Sequence, residues 1–330
     1  MAAKLVFNLP VVKQETDAHS RLADGPVENV PGGGIIRCES YCPTLRENIK
    51  AFRQGLALRL STKKTLIVGP YAGEFGPEIM DFQSYVRWFR RKYREIHVIT
   101  YPGRDPLYRG CIVHAHDFDL RTAGYCYGRI SHTEITRYAR DFARAHDLTD
   151  YDMFSTLHMD TRWHRRLLFR QEHEVISPLV PPESNRRILF HFRNIDKSGP
   201  DRSRNFRPDL VAETCELCLG AGIEITCIGH PKYSLCPPGC EDRRTENLEQ
   251  TIAEMASGRL VAGELSGPLH LALFCARPVL IWAPGADRIA YAFKRNPFRQ
   301  RIFVVRYDTT NPSPEEILEA LRDAEVKLAA

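Results

Sequence analysis

The chain has 330 residues, of which 43% are hydrophobic and 26% charged, a composition that excludes a disordered chain and allows two domains of ordinary size. The net charge of +5 suits a phosphate-bearing ligand but is too small to indicate nucleic-acid binding. No apolar run reaches the length of a membrane span, and the first ten residues are typical of neither an export signal nor an anchor. We therefore expect a cytoplasmic protein whose ten cysteines are mostly reduced thiols.

Residues 1–60 are interpreted as an N-terminal extension that contains glycine-rich loop and one short amphipathic helix. The apolar residues of that helix are Leu45, Ile49, Phe52 and Leu56. Thr65–Val68 predicts a buried strand, a helix is predicted from about Glu78, and Ile96–Ile99 predicts the next strand. This order of strand, loop, helix and strand is typical of a parallel sheet.

The stretch from Thr133 to about Gln171 is predicted to be rich in helix, and Pro178–Pro182 forms a stiff break that we take as a domain boundary. Beyond it, the predicted strands are 187–192, 223–228, 260–262, 278–282 and 302–305, and the predicted helices are 208–219, 248–257, 269–275 and one capped by Ser313. The sequence therefore predicts an α/β fold with two Rossmann-like doubly wound domains that face a cleft, over residues 61–180 and 181–330.

The loop after the first predicted strand carries two glycines and two acids, and ligands bind at the carboxyl ends of strands in an open α/β sheet. Gly73 and Gly76 would let the backbone approach a ligand or acceptor closely, and a helix start follows. Glu74 or Glu78 could act as a catalytic base that takes a proton from an attacking hydroxyl, with Glu74 favoured because it lies deeper in the loop. The alternative is a helix cap beside a tight turn.

A basic loop follows the first strand of the C-terminal half, with four arginines and one lysine in about fifteen residues. Guanidinium groups match the oxygens of a diphosphate in pairs, and lysine adds a point charge. Arg193, Lys197 and Arg204 are therefore candidates for binding the diphosphate of a donor. The alternative is a solvated basic loop, although a strand end at a domain cleft is a poor place for one.

A third loop, made of small residues, joins a predicted strand to a predicted helix. Backbone N–H groups at that helix start, together with Ser266, Gly267 and Pro268, suit a phosphate. His270 would lie one turn into the helix and face the same ligand, or else it is a histidine of the core. Glu264 could accept hydrogen bonds from a ribose.

These loops resemble the donor loops of known glycosyltransferases. Ser266–Ala272, followed by Arg277–Trp282, resembles the late donor loop of the heptosyltransferases of lipopolysaccharide synthesis, in which a small hydroxyl residue, a glycine and a histidine face the donor phosphates. His191–Lys197 resembles the motif of GT-B fucosyltransferases, whose arginine binds the donor diphosphate, and Arg204–Phe206 is similar to a stretch in both groups. Leu265 stands where the heptosyltransferases usually have aspartate, so the resemblance leaves the donor sugar open.

The resemblance implies a GT-B glycosyltransferase with a nucleotide-diphosphate sugar in the C-terminal domain and a glycan or lipid-linked acceptor in the N-terminal domain. It implies no metal and no cofactor besides the donor as co-substrate. Arg193, Lys197 and the helix start at Ser266 would stabilise the leaving diphosphate, and inverting transfer would need one base, Glu74. The alternatives are a nucleotide-sugar epimerase or hydrolase of the same fold and a non-catalytic nucleotide- or glycan-binding protein.

A His-x-His pair and then an acidic pair follow a predicted strand. His114, His116 and Asp117 could hold a divalent metal, but such short strings arise often by chance. We interpret Asp117 and its neighbours as a polar strand end that lines the acceptor cleft.

Five cysteines of the C-terminal half could form a zinc cluster: Cys215, Cys218, Cys227, Cys236 and Cys240. Because the first two lie three residues apart on a predicted helix and the third lies on a predicted strand, we expect those three to pack in the core instead.

The helix after the first strand has a basic side formed by Arg87, Arg90, Arg91 and Arg94, which we predict to lie mostly off its buried face. Such a face is commonly solvated, and it could also rest on an anionic membrane surface. A nucleic-acid partner is not expected.

Overall fold

The structure is a computed structural model that describes residues 45–116, 132–155, 168–177, 187–195, 205–307 and 311–330. The first helix, α1 (Leu45–Leu60), confirms the amphipathic helix expected there. However, it packs through Gly55 and Leu58, with Gly55 against Leu168 and Phe169, while the apolar side chains Ile49, Phe52 and Leu56 are exposed. The apolar stripe read from the sequence is thus not the face that joins the core.

The N-terminal half is built on a parallel four-stranded sheet with the order β3-β2-β1-β4. Its strands are β1 (Thr65–Val68), β2 (Glu95–Thr100), β3 (Ile112–Ala115) and β4 (Tyr151–Phe154). The first two confirm the predicted strands. The fourth was missed, since its region was predicted to be helix-rich. Its four residues include Asp152, so the segment lacks the continuous apolar run that predicts a buried strand, and pairing with β1 fixes it instead.

The helical segment after β1 starts at Phe75, earlier than predicted, and it is not uniform. It consists of α2 (Phe75–Pro77), a π-helical segment (Glu78–Phe82) and α3 (Gln83–Phe89). The same half holds a 3₁₀ turn (Asp105–Leu107) after β2 and helix α4 (His132–Ala145) before β4. Single π-helical turns are rare and occur mostly near functional sites.

The basic side predicted for this helix is wrong for Arg87. That residue is buried, and its Nη1 donates to the backbone oxygen of Glu174 at 2.9 Å and lies 3.5 Å from the Glu174 carboxylate. Arg90 lies 3.5 Å from the same carboxylate, and Arg91 pairs with Glu172 at 2.8 Å. The segment at 168–177 thus supplies counter-charges to these three arginines, and contact of this side of the helix with a membrane stays a prediction.

The C-terminal half is built on a seven-stranded sheet with the order β11-β10-β9-β5-β6-β8, in which β7 pairs antiparallel with β5 and the other pairs are parallel. The strands are β5 (Ile188–Arg193), β6 (Ile225–Cys227), β7 (Ser234–Leu235), β8 (Glu241–Asp242), β9 (Leu260–Glu264), β10 (Val279–Pro284) and β11 (Ile302–Tyr307). The helices are α5 (Pro208–Gly220), α6 (Leu248–Ser257), α7 (Gly267–Phe274), α8 (Gly285–Lys294) and α9 (Pro314–Ala329). The predicted alternation is confirmed, whereas β7, β8 and α8 were missed.

One hydrophobic core joins the two sheets. It includes Leu66 and Val68 of β1 together with Leu269 of α7 and Val279 of β10. The predicted domain boundary at 178–182 lies outside the described residues, so the division of the chain there stays a prediction. None of the helices in the described ranges is long and apolar enough to cross a membrane.

Candidate active site

Two glycine-containing loops, one from each sheet, meet where the halves face each other. A Cβ atom on Gly267 would lie 2.9 Å from Cδ1 of Phe75 and 3.5 Å from the backbone nitrogen of Gly76. A Cβ atom on Gly76 would lie 3.8 Å from Cα of Gly267 and 3.8 Å from Cδ2 of His270. Gly267 therefore has no room for a side chain, and the structure brings together the loop after β1 and the start of α7.

Glu74 stands at the exposed edge of the first loop. It precedes α2 with an extended backbone and is partly exposed, as is Gly73 beside it. The Tyr71 hydroxyl donates a hydrogen bond of 2.6 Å to the backbone oxygen of Glu74, and the Tyr71 ring is fully buried. The core thus anchors the loop backbone while Glu74 itself stays within reach of solvent.

Glu78 is placed very differently, because it is fully buried inside the N-terminal half. Its Oε1 accepts hydrogen bonds from Thr100 at 2.5 Å and from the Tyr108 hydroxyl at 2.8 Å, and its Oε2 lies 3.4 Å from Nε of Arg104. Burial raises the pKa of Glu78, and the Arg104 charge and the two hydrogen bonds lower it in part. Of the two predicted bases, Glu74 is therefore the accessible one, and Glu78 stabilises the loop from within.

His270 lies one turn into α7, as expected, and is buried. Burial first, and then the charge of Arg295, lower its pKa to about 4 against the opposing charge of Asp81. The imidazole is therefore neutral near pH 7. Its Nδ1 is buried and has no hydrogen bond within the described part of the chain, so it can serve a bound ligand. The Tyr291 ring stands edge-on at 5.9 Å.

An ion pair connects the two halves beside His270. Asp81, in the π-helical segment, pairs with Arg295, which follows α8. Nε2 of Gln171 donates a second hydrogen bond of 2.7 Å to the same carboxylate oxygen of Asp81. The guanidinium of Arg295 also lies 5.4 Å from the centroid of the Tyr291 ring. These contacts hold the π-helical segment of the N-terminal half against α8 of the C-terminal half.

The start of α7 has the features predicted for an anion site. Ser266 occupies the N-cap with an extended backbone, its side chain makes no capping bond, and its Oγ lies 3.5 Å from Nδ1 of His191. The first N–H groups of a helix have no partner within it, and Pro268 removes one of them. Backbone N–H groups of the first turn therefore stay available for a ligand next to Gly267.

Arg193 ends β5, directly beside the end of β9, but its guanidinium does not project freely. Arg193 is buried, its backbone N–H donates to Oε2 of Glu264 at 3.0 Å, and its Nη1 donates to Oδ1 of Asn205 at 2.7 Å. Its role in diphosphate binding stays a prediction. Lys197, Arg204 and Asp117 lie outside the described residues.

Burial shifts the pKa values of Glu264 and His191, at these strand ends, toward their neutral forms. Burial raises the pKa of Glu264 to about 7, against hydrogen bonds from backbone N–H groups that lower it. Burial and the neighbouring charge of Arg193 lower the pKa of His191 to about 4. Oε1 of Glu264 is buried and has no hydrogen bond in the described ranges, and its contact with a ribose stays a prediction.

His114 and His116 contact different partners. Nε2 of His114 lies 3.0 Å from Nδ1 of His97, whereas Nε2 of His116 lies 2.7 Å from the backbone oxygen of Tyr71. Among the residues that the structure describes, no three His, Cys, Asp or Glu side chains are arranged to hold a metal. Cys215, Cys218 and Cys227 are free thiols buried in the core of the second sheet, as expected.

Sequence reasoning missed Arg104. The residue follows β2, which neighbours β1 in the sheet, so the rule that ligands bind at strand ends points to it. Its guanidinium carbon lies 4.1 Å from the ring centroid of Phe75, the residue that touches Gly267. Arg104 therefore belongs to the same site as Glu74.

Comparison with solved structures identifies the fold. The chain is similar to the Escherichia coli ADP-heptose LPS heptosyltransferase II, with a TM-score of 0.51 and 15% identity over 81% of this chain and 100% of that one. A glycosyl transferase of family 9 from Veillonella parvula aligns with a TM-score of 0.48 and 12% identity over 82% of this chain and 98% of that one. No family model and no curated protein matches the sequence. The first likeness confirms the predicted GT-B fold, and at this identity it establishes the fold rather than the activity.

Proposed function

We propose that this protein is a metal-independent glycosyltransferase that moves a sugar from a nucleotide-diphosphate sugar to a hydroxyl group of a glycan or lipid-linked acceptor. The observation that carries the proposal is the meeting of Glu74's loop with the start of α7. The accessible carboxylate and the helix start come from different sheets and are brought together by the contact of Phe75 with Gly267. Inverting sugar transfer requires a base on one side of the reacting carbon and an anion-binding group on the other.

The C-terminal side of the cleft, formed by the start of α7, His270 and Glu264 and called the C-terminal wall below, would bind the donor. The N–H groups at the start of α7 and the neutral imidazole of His270 can donate to diphosphate oxygens, and Glu264 can accept from a ribose hydroxyl. As the glycosidic bond breaks, charge grows on the leaving diphosphate, and fixed donors stabilise it without having to reorganise. Arg193, Lys197 and Arg204 are proposed to add positive charge there.

The opposite side of the cleft, formed by the loop that carries Glu74 together with Arg104 and called the N-terminal wall below, would hold the acceptor. Glu74 would accept the proton of the attacking hydroxyl, because it is the accessible carboxylate of the loop that touches the donor helix. Glu78 would keep the π-helical segment in place through Thr100 and Tyr108. We also propose a cytoplasmic location, which the buried free thiols of Cys215 and Cys218 support because disulfides are rare there.

The test is a thermal-shift screen of the wild-type chain against nucleoside diphosphates and their sugars. A ligand that binds the folded state raises the unfolding temperature by mass action. We expect nucleoside diphosphates with one particular nucleobase to raise it clearly. Arg193→Ala should reduce that shift, whereas the control Arg140→Ala, at an exposed position of α4, should keep it. A flat response of the wild type to every nucleotide would contradict the proposal. Release of free sugar from the donor without any acceptor would instead identify a hydrolase.

A further inference from the structure

Arg104 is held in a fixed position at the edge of the first loop. Its guanidinium carbon stacks 4.1 Å from the Phe75 ring centroid, and its Nε lies 3.4 Å from Oε2 of the buried Glu78. Glu78 itself is fixed by hydrogen bonds from Thr100 and Tyr108. An aromatic face and an anchored carboxylate thus orient the guanidinium plane before any ligand arrives.

The outer end of this guanidinium is open. Nε is buried, so the 25% exposure of the Arg104 side chain belongs to other atoms. Neither terminal nitrogen of Arg104 has a hydrogen bond to any residue in the described ranges. Two parallel N–H groups of this kind match the two oxygens of a carboxylate or a phosphate.

The other cations around the cleft are engaged differently. Arg295 pairs with Asp81, and Nη1 of Arg193 donates to Asn205. Among the described residues, the one carboxylate within 4 Å of Arg104 is that of Glu78, and burial raises the pKa of Glu78. Arg104 therefore combines a positive charge with terminal nitrogens that have no hydrogen-bond partner among the described residues.

We propose that Arg104 binds an oxyanion, a carboxylate or a phosphate, carried by the acceptor, so that the acceptor is an anionic glycan. This inference rests on the proposed sugar transfer. The acceptor is preferred over the donor because Arg104 stacks on the Phe75 ring rather than on the start of α7, and because it follows β2, the neighbour of the strand that leads to Glu74. The anionic group would lie on the side of Glu74's loop that faces away from the donor helix.

The experiment measures binding of simple sugars to the full chain with a nucleoside diphosphate present. Glucuronate, glucose 6-phosphate and neutral glucose are titrated by saturation-transfer NMR or calorimetry. We expect at least one of the two anionic sugars to bind and glucose not to, and the better anion identifies the carboxylate or the phosphate as the recognised group. Arg104→Gln should weaken that binding about tenfold or more, because charge-assisted hydrogen bonds are lost.

The controls separate this inference from the proposed function. Arg140→Gln, the same change at an exposed position of α4, should bind anionic sugars like the wild type. Arg104→Gln should keep the thermal shift given by the nucleoside diphosphate. If no nucleotide shifts the wild type, sugar transfer fails as a function, and the sugar titrations are then made without nucleotide to judge the anion site alone.

Several results would overturn the inference. For the wild type, these results are no binding of either anionic sugar, or binding of glucose as strong as that of both anionic sugars. For Arg104→Gln, they are binding of the anionic sugars as strong as in the wild type, or loss of nucleotide binding instead of sugar binding. If Arg104→Gln does not fold, Arg104→Lys decides, since it keeps a charge beside Glu78 but loses the planar pair of donors. It should bind the anion about threefold more weakly or worse, and unchanged affinity would contradict the proposal.

Discussion

On the C-terminal wall of the cleft, His191, Glu264 and His270 are each no more than 5% exposed, whereas Glu74 on the N-terminal wall remains partly exposed. Burial shifts the pKa values of the three buried groups toward their neutral forms. The N-terminal wall instead keeps ionic character, with the Arg104 guanidinium at its surface. We therefore expect the C-terminal wall to combine neutral donors and backbone N–H groups with the positive charge proposed for Arg193, Lys197 and Arg204, and the N-terminal wall to act through the charge of Arg104.

The largest expected effect is on the accessible acid of the N-terminal wall. Glu74→Gln keeps the size of the side chain but cannot accept a proton, so nucleoside diphosphate release with glycan acceptors should fall about 10²- to 10⁴-fold. The thermal shift given by the nucleotide should remain, because the donor is bound by the other wall. Glu319→Gln, at an exposed position of α9, is the matched control. Unchanged turnover in Glu74→Gln would remove Glu74 as the base.

The buried acid of the same wall should affect stability more than chemistry. Glu78→Ala leaves Thr100, Tyr108 and Arg104 without their common partner, so the free energy of unfolding should fall by about 3–5 kcal/mol. Urea denaturation measures it. Glu319→Ala should change stability by no more than about 0.5 kcal/mol. A loss below about 1 kcal/mol for Glu78→Ala would show that the buried network is not structural.

The contact between the walls can be tested at Gly267. A Cβ there would lie 2.9 Å from Phe75, so Gly267→Ala must push the loops apart, with a loss of about 1–3 kcal/mol of stability and weaker nucleotide binding. Gly220→Ala is the control, since no atom lies within 4 Å of the Cβ it would gain. Equal behaviour of the two variants in denaturation and thermal shift would mean that the walls do not touch in solution.

The effects that appear only when pH is varied concern the buried Glu264 and His270 of the C-terminal wall. The folded pKa of Glu264, about 7, lies above the ordinary 4.5, so its contribution to stability is present at low pH and lost as pH rises through 7. The folded pKa of His270, about 4, lies below 6.5, so its contribution is present above 6.5 and lost as pH falls through 4. Relative to wild type, Glu264→Gln should gain about 3 kcal/mol on going from acid to alkaline pH, and His270→Gln should gain a similar amount in the opposite direction. Parallel stability curves for wild type and both variants would contradict burial of these groups.

Regular elements could be predicted where local pattern and tertiary structure agree. Ser313 caps α9 as its spacing to Glu316 indicates, with hydrogen bonds of 3.3 Å and 2.9 Å in the two directions, and α6 has the predicted bounds. The π-helical segment could not be read from the sequence, because an ordinary amphipathic helix has the same pattern of apolar residues. Its wide turn depends on contacts with the opposite sheet, such as that of Asp81 with Arg295.

The site was predictable in outline rather than in detail. Strand ends and small residues point to Glu74, Ser266 and His270, because those signals are local. The strand-end rule also points to Arg104, but the burial of Glu78 depends on side chains that approach from β2 and the turn after it, and no spacing in the sequence encodes such approaches.

The single π-helical turn has a mechanical consequence. Its two acids lie three residues apart and have partners in different halves of the molecule. Glu78 accepts a hydrogen bond from Thr100 in its own sheet, and Asp81 forms an ion pair with Arg295 in the other half. A rotation of one half against the other would pull on Asp81, and the strain would reach Glu78 within one turn of backbone. Rotation of the two halves against each other would thereby be coupled to the conformation of the loop that carries Glu74.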